Sequence, residues 1–293
     1  MKVALLSSAN ERATTYARLL RATPGVDLIN ADEVFAPEAV VVISEPVRRR
    51  ELVEEAAEAG ARVLCEAPLA AKETDAQAMV DACAAAGVRL TLASPACFSP
   101  AFAMVRTAID GGDVIGRLTT LRGTYNPVRP ATQEAEGALG ANAPYLLDLV
   151  DATLDGESAV EVYAQTNSVL SGRPGAESAA LVSVRYGSGI VAALDCGWGL
   201  SADQPGAGGP AMTFIGDRAS VEFDTAPRTL GGFDVAAGRE RWELGGIDLY
   251  SVMLDDFLAG RGNGPDGAAG VRSLRIIEAA YESARTGQPV DIA

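Results

Sequence analysis

The 293-residue chain is 48 % hydrophobic, a length and apolar content that suit two domains, each with its own core. Its 24 basic against 39 acidic residues give a formal charge of −15, which repels nucleic acid and anionic membrane surfaces. It contains no histidine, the usual acid–base group near neutral pH and the commonest metal ligand, so chemistry here must use carboxylates, tyrosine, lysine, cysteine or backbone groups. In chain order, "KVALL" (2–6) reads as a strand, and the stretch 10–22 as a helix with Asn10 as its N-cap. "VDLI" (26–29) and "AVVVI" (39–43) read as strands, the second apolar throughout, as a parallel strand covered on both faces should be. A helix over 46–60 with Pro46 near its start and Gly60 at its cap, a strand "RVLC" (62–65), a helix over 73–87 and a strand over 88–93 continue the alternation.

A helix over 99–112 leads to longer strands at 116–125, 159–170, 179–187, 189–198, 211–216 and 219–224. A helix over 142–154 interrupts them, and helices near 247–260 and 269–286 close the chain. The expected fold is α/β followed by α+β. A truncated Rossmann-like parallel sheet occupies 1–115 and a large, mostly antiparallel sheet domain 116–293, with the closing helices free to pack back on the first domain. The glycine-rich stretches "SADQPGAGGP" and "AGRGNGPDGAAG" read as surface connections, or alternatively as lids. Cys65, Cys83, Cys97 and Cys196 sit in apolar contexts without CxxC spacing and read as buried thiols, so no metal is expected. No run of 18 apolar residues exists, and "MKVALLSSANERATTYARLL" turns polar after six residues, which places the protein in the cytoplasm.

Four segments, "EAGARVLCEAPLA", "FSPAFAMVRTAIDGGDVIGRLTTLRGTY", "YSVMLDDFLAG" and "SLRIIEAAYESARTGQPVDI", occur in the order in which similar segments occur in the Gfo/Idh/MocA family, the glucose-fructose oxidoreductase and inositol dehydrogenase relatives. The resemblance spans nearly the whole chain. It implies a Rossmann domain, a sheet domain that often builds dimers or tetramers, and hydride exchange between NAD(P) and a sugar or polyol carbon.

The positions that carry function in the family differ here. Ser7, Ala9 and Arg12 stand where its phosphate-binding turn has glycines, which the backbone needs to approach a pyrophosphate closely. Ala9 adds a methyl group at the closest approach, and Arg12 is expected to crowd the packing of helix on strand. About one helix of the usual Rossmann half is missing before "AVVVI", and Asp32 is either a ribose ligand or a turn residue. The lysine of the family's Glu-Lys-Pro is Ala67, between Glu66 and Pro68. In the second signature the first Asp is Ala141, the His is Tyr145, and only Asp148 matches; a further family histidine falls on Arg49, and the Asn and Arg before "FSP" fall on Pro95 and Cys97.

These departures lead to the expectation of a degenerate member without a cofactor, its NAD(P) retained only as an alternative. Tyr145 and Asp148 lie at i, i+3 on one helix face, with Leu146, Leu147, Val150 and Leu154 on the packed side. With Glu66 they are the candidate catalytic groups for hydride-free acid–base chemistry in the interdomain cleft, an elimination, isomerisation or cyclisation of a small polar metabolite; Tyr145 otherwise only fills the vacated volume. Arg122, Tyr125, Asn126 and Arg129 are candidate substrate ligands, though alternation puts Arg122 and Asn126 on one strand face and Tyr125 and Arg129 on the other. The other readings are a catalytically dead subunit pairing with a competent paralogue, and a residual NAD(P)-dependent oxidoreductase. A homo- or hetero-oligomer through the C-terminal sheet is the expected assembly.

Overall fold

The computed structural model describes residues 1–8, 11–29, 37–128, 137–171, 177–199, 209–225, 228–234 and 239–292, without the side chains of Glu11 or of residues 226–245. The elements run β1 (Lys2–Ser7), α1 (Glu11–Ala22), β2 (Asp27–Ile29), β3 (Ala39–Ile43), α2 (Arg49–Glu58), β4 (Arg62–Glu66), α3 (Glu73–Ala85), β5 (Leu90–Ala93), α4 (Pro100–Asp110) and β6 (Leu118–Tyr125). They continue with α5 (Ala138–Thr153), β7 (Ala159–Asn167), β8 (Ala179–Tyr186), β9 (Val191–Gly197), β10 (Ala211–Gly216), β11 (Ser220–Asp224), β12 (Arg228–Asp234), β13 (Arg239–Gly245), α6 (Leu249–Ala259), α7 (Gly267–Thr286) and β14 (Val290–Asp291).

Two compact units result. The first comprises residues 1–98, 151–156 and 249–278; the second, 99–150, 157–248 and 279–293. The sequence places a boundary at 115, whereas the first unit closes at Phe98. The cause is α4, whose Phe102 packs against Phe214 of β10 and Phe223 of β11, with ring centroids 6.3 and 5.5 Å away.

In the first unit the apolar runs form a five-stranded parallel sheet in the order β2-β1-β3-β4-β5. Side chains alternate across it, and each set finds its own helices. Val40, Val42, Val63 and Cys65 pack with Val53 of α2, Ala76 and Met79 of α3 and Ala269, Val271 and Leu274 of α7. Val3, Val41, Ile43 and Leu64 pack with Tyr16, Leu19 and Leu20 of α1 and Met253, Leu254 and Phe257 of α6. All five residues of β3 are buried, which is why it has no polar face to show. Pro46–Arg48 make a single 3₁₀ turn before α2, and Gly60 takes a φ of 74° where that helix is stopped. The edge strand β2 has only three residues.

The second unit is built on a seven-stranded sheet, β11-β10-β6-β9-β8-β7-β14, in which β6 and β9 are parallel and the other neighbours antiparallel. β8 shows the alternation of a sheet covered on one side: Ala180, Val182, Val184 and Tyr186 are buried, while Leu181, Ser183 and Arg185 are exposed. β12 and β13 form a separate two-stranded hairpin.

Candidate functional site

The parallel sheet of the first unit brings four strand ends into one row. Ser7 of β1 pairs with Ile43 of β3, Val42 pairs with Cys65 so that Glu66 follows beside Ile43, and Glu66 pairs with Ala93 of β5. In an open parallel sheet the crevice outside these carboxyl ends, where strand order reverses, is where ligands bind. Here the reversal lies between β1 and β3, and α1 begins three residues beyond Ser8.

Two arginines organise this edge. Arg12, in the first turn of α1, places Nη1 2.8 Å from Oε2 of Glu66, whose side chain is only 3 % exposed while that of Arg12 is 38 % exposed. The expected crowding of helix on strand therefore does not occur: the guanidinium turns out to the carboxylate, and Ala13, Tyr16, Leu19 and Leu20 do the packing. Arg49 is 5 % exposed, and its Nε donates to the carbonyl of Ser44 at 2.9 Å and its Nη1 to the carbonyl of Glu66 at 2.7 Å. The same nitrogen donates to the carbonyl of Pro68, beyond the cis Ala67–Pro68 peptide. Arg49 thus pins both sides of the turn in which Ala67 stands, itself 4 % exposed. Its role was legible in principle, since Arg49, Val53, Ala56 and Ala57 fall on one buried helical stripe. The neighbouring Cys65 thiol is pushed up to about 12 by burial, and Cys196 in the second unit likewise to about 12, so neither is a nucleophile near neutral pH.

In the second unit α5 starts at Ala138, four residues before the expected Asn142, and is buried on every side from Asn142 to Val150. The expected two-faced helix is corrected on this point: Tyr145 and Asp148, at 7 % and 1 % exposure, are as enclosed as Leu146 and Leu149, as an interior helix requires. Its first turn is satisfied by distant groups. The carboxylate of Glu177 accepts from Leu139 N at 3.2 Å and from the Tyr281 hydroxyl at 2.9 Å, and Tyr281 Oη accepts from Gly140 N at 3.1 Å. Asn142 Nδ2 donates to the carbonyl of Gly197 at 2.9 Å, tying the helix to the end of β9.

The substrate candidates separate as alternation requires. Tyr125 meets Tyr145 edge to face, with ring centroids 5.5 Å apart, whereas Arg122 lies on the opposite, exposed face of β6. There it lines an apolar groove of about 380 Å³ with Thr124, Tyr163, Leu181 and Asp195. Asn126 Nδ2 lies 3.5 Å from Asp195 Oδ2. Glu66 belongs to the first unit, and Tyr145 and Asp148 to the second. Ala9, Asn10, Asp32 and Arg129 lie outside the described residues. Among the described residues no group of three or more Cys, Asp or Glu side chains is arranged to hold a metal ion, and no helix is long and apolar enough to cross a membrane.

Residues 2–94 match a family model described as the oxidoreductase family's NAD-binding Rossmann fold, and residues 107–292 match its C-terminal alpha/beta domain. The chain belongs to the Gfo/Idh/MocA oxidoreductase family. A relative, 1,5-anhydro-D-fructose reductase of Ensifer adhaerens, is 28 % identical over 313 residues, covering 99 % of this chain and 90 % of that protein. Among solved structures, GenD2 from gentamicin A biosynthesis, in complex with NAD, superposes with a TM-score of 0.85 at 19 % identity, covering 100 % of this chain and 96 % of that one. A myo-inositol dehydrogenase of Corynebacterium glutamicum superposes with a TM-score of 0.80 at 20 % identity, covering 100 % and 99 %.

Membership in the Gfo/Idh/MocA family through its NAD-binding half corrects the expectation of a protein without a cofactor. The described residues fit a dinucleotide. Strand order reverses beside β1, α1 presents its N-terminal end beyond the strand tips, and Arg12 adds a cation there, all of which favour an anionic pyrophosphate.

Proposed function

We propose that the chain is an NAD(P)-dependent oxidoreductase acting on a hydroxyl or carbonyl carbon of a sugar or polyol. The observation that carries the reading is the strand-end crevice between β1 and β3, in a domain that matches an NAD-binding Rossmann model. Hydride-free chemistry, which a cofactor-free site would have required, loses its premise with the cofactor correction. The sugar or polyol class draws support from a relative named as a reductase of 1,5-anhydro-D-fructose. Bound NAD(P) supplies or accepts the hydride. The proton that accompanies it needs a group of the protein, and with no histidine and Ala67 in the lysine's place, Tyr145 is the group we assign to it. Asp148, one helical turn on, supports the phenol, and Tyr125, stacked edge-on, holds its ring. In the first unit the Glu66 carboxylate is a proposed positioning group.

The test is whether the purified protein binds NADH or NADPH. A second reading is a subunit that holds cofactor and turns nothing over; Ala67, enclosed in the turn that carries a lysine in relatives, favours it. We further propose a homo-oligomer through the open face of the seven-stranded sheet. Leu181 there is 61 % exposed and Tyr163 37 % exposed, beside the apolar groove that Arg122 lines. Light scattering at micromolar protein should give at least twice the 30.2 kDa chain mass, and a monomer throughout would contradict the assembly.

A further inference from the structure

We propose that Arg12 holds the pyrophosphate of the dinucleotide, and that Glu66 acts as its positioning residue. The inference rests on the NAD(P) reading and names the group that stands in for the missing glycine turn.

The location comes first. Ser7, Ile43 and Glu66 form one row of strand ends, so an arginine on α1 that reaches Glu66 lies at the end of the sheet that carries the crevice. A phosphate in that crevice lies next to the guanidinium.

Fixation is the second consideration. Glu66 is held from two sides, its carbonyl by buried Arg49 and its carboxylate by Arg12. A side chain ordered in the free protein has already lost most of its rotamer freedom before a ligand arrives, which removes one of the ordinary costs of binding. A guanidinium carries five N–H donors in a planar fork that matches phosphate oxygens two at a time. At 38 % side-chain exposure Arg12 is open to such a ligand, while Glu66 at 3 % is not.

Charge is the third. A chain with a formal charge of −15 repels a dinucleotide at long range, and a local cation at the phosphate position offsets this. Glycines serve a phosphate by letting backbone N–H groups come close; Arg12 does so by reaching outward with charge, which requires no close backbone approach. The two solutions are alternatives, so losing the glycine at this position and gaining an arginine form one change.

The experiment is equilibrium titration with NADH, NADPH and ADP-ribose, which carries the pyrophosphate without the nicotinamide. Affinity is read by calorimetry and nicotinamide fluorescence at two salt concentrations. Arg12→Ala alone would leave the Glu66 carboxylate buried without this partner, so it is combined with Glu66→Gln. Arg12→Lys is the second variant, which keeps a cation beside Glu66 and so preserves the fold. The double variant is expected to lose about tenfold or more in affinity for NADH and ADP-ribose alike, and to show a shallower salt dependence. Arg12→Lys is expected to fall between it and the unmodified protein, because it keeps the charge without the fork. Undiminished or tighter binding in both variants would overturn the proposal and make Arg12 an obstruction. Failure of the unmodified protein to bind any of the three ligands would instead overturn the NAD(P) reading, and this proposal with it.

Discussion

Replacing Arg49 by alanine is expected to cost about 3–5 kcal/mol of folding stability, the combined effect of leaving buried carbonyl acceptors without their donor and a cavity where the side chain was. Arg49 donates to the carbonyls of Ser44, just after β3, of Glu66, the last residue of β4, and of Pro68, just beyond it. Alanine strands those carbonyls and leaves the volume of the guanidinium and its stem unfilled. The adjacent Arg48 is exposed, and its alanine variant should stay within about 0.5 kcal/mol of the unmodified protein. Urea unfolding of the two variants side by side is the check. Equal midpoints would mean that the turn around Ala67 holds itself.

Tyr145→Phe is expected to lower turnover of a sugar or polyol substrate by about 10²–10⁴-fold, the usual worth of a positioned acid–base group. NADH affinity should stay unchanged, because the substitution removes one hydroxyl of the second unit and leaves every residue of the first unit in place. Phenylalanine keeps the ring and its edge-on contact with Tyr125 and removes only the hydroxyl, so packing is preserved. Absorbance of the reduced nicotinamide follows the reaction directly. Unchanged turnover would remove Tyr145 from the mechanism. An unmodified protein that binds coenzyme but oxidises or reduces nothing across a panel of sugars and polyols would favour the non-catalytic subunit.

Much of the fold was legible because single segments carried it. "AVVVI" reads as a strand buried on both faces and is one, with every residue enclosed. The alternation of β8 likewise shows in its sequence, since Val182 and Val184 face the core and Leu181 and Ser183 do not. What failed to show depended on distant partners or on weak local signals. The start of α5 at Ala138 is fixed by Glu177 and Tyr281, which its own sequence does not contain. The hairpin of β12 and β13 carries glycines and charges within its strands and has no apolar alternation to announce it. Arg12 was expected to disturb the packing of α1, because its partner Glu66 lies 54 residues away and only the parallel sheet brings the two together. The cofactor was misjudged for a related reason. Ser7 and Arg12 break the glycine pattern, yet the strand order that creates the crevice depends on the whole sheet and survives the loss.

Titration of the purified protein with NADH and NADPH, following nicotinamide fluorescence and thermal unfolding together, addresses the coenzyme site most directly. A ligand that binds the native state alone stabilises it by about 2.7 kcal/mol at a hundredfold excess over its dissociation constant. The expected result is saturable fluorescence enhancement with a rise in melting temperature of several degrees for at least one of the two coenzymes. No change in either signal at millimolar NADH or NADPH would contradict the assignment of this chain as an NAD(P)-dependent oxidoreductase.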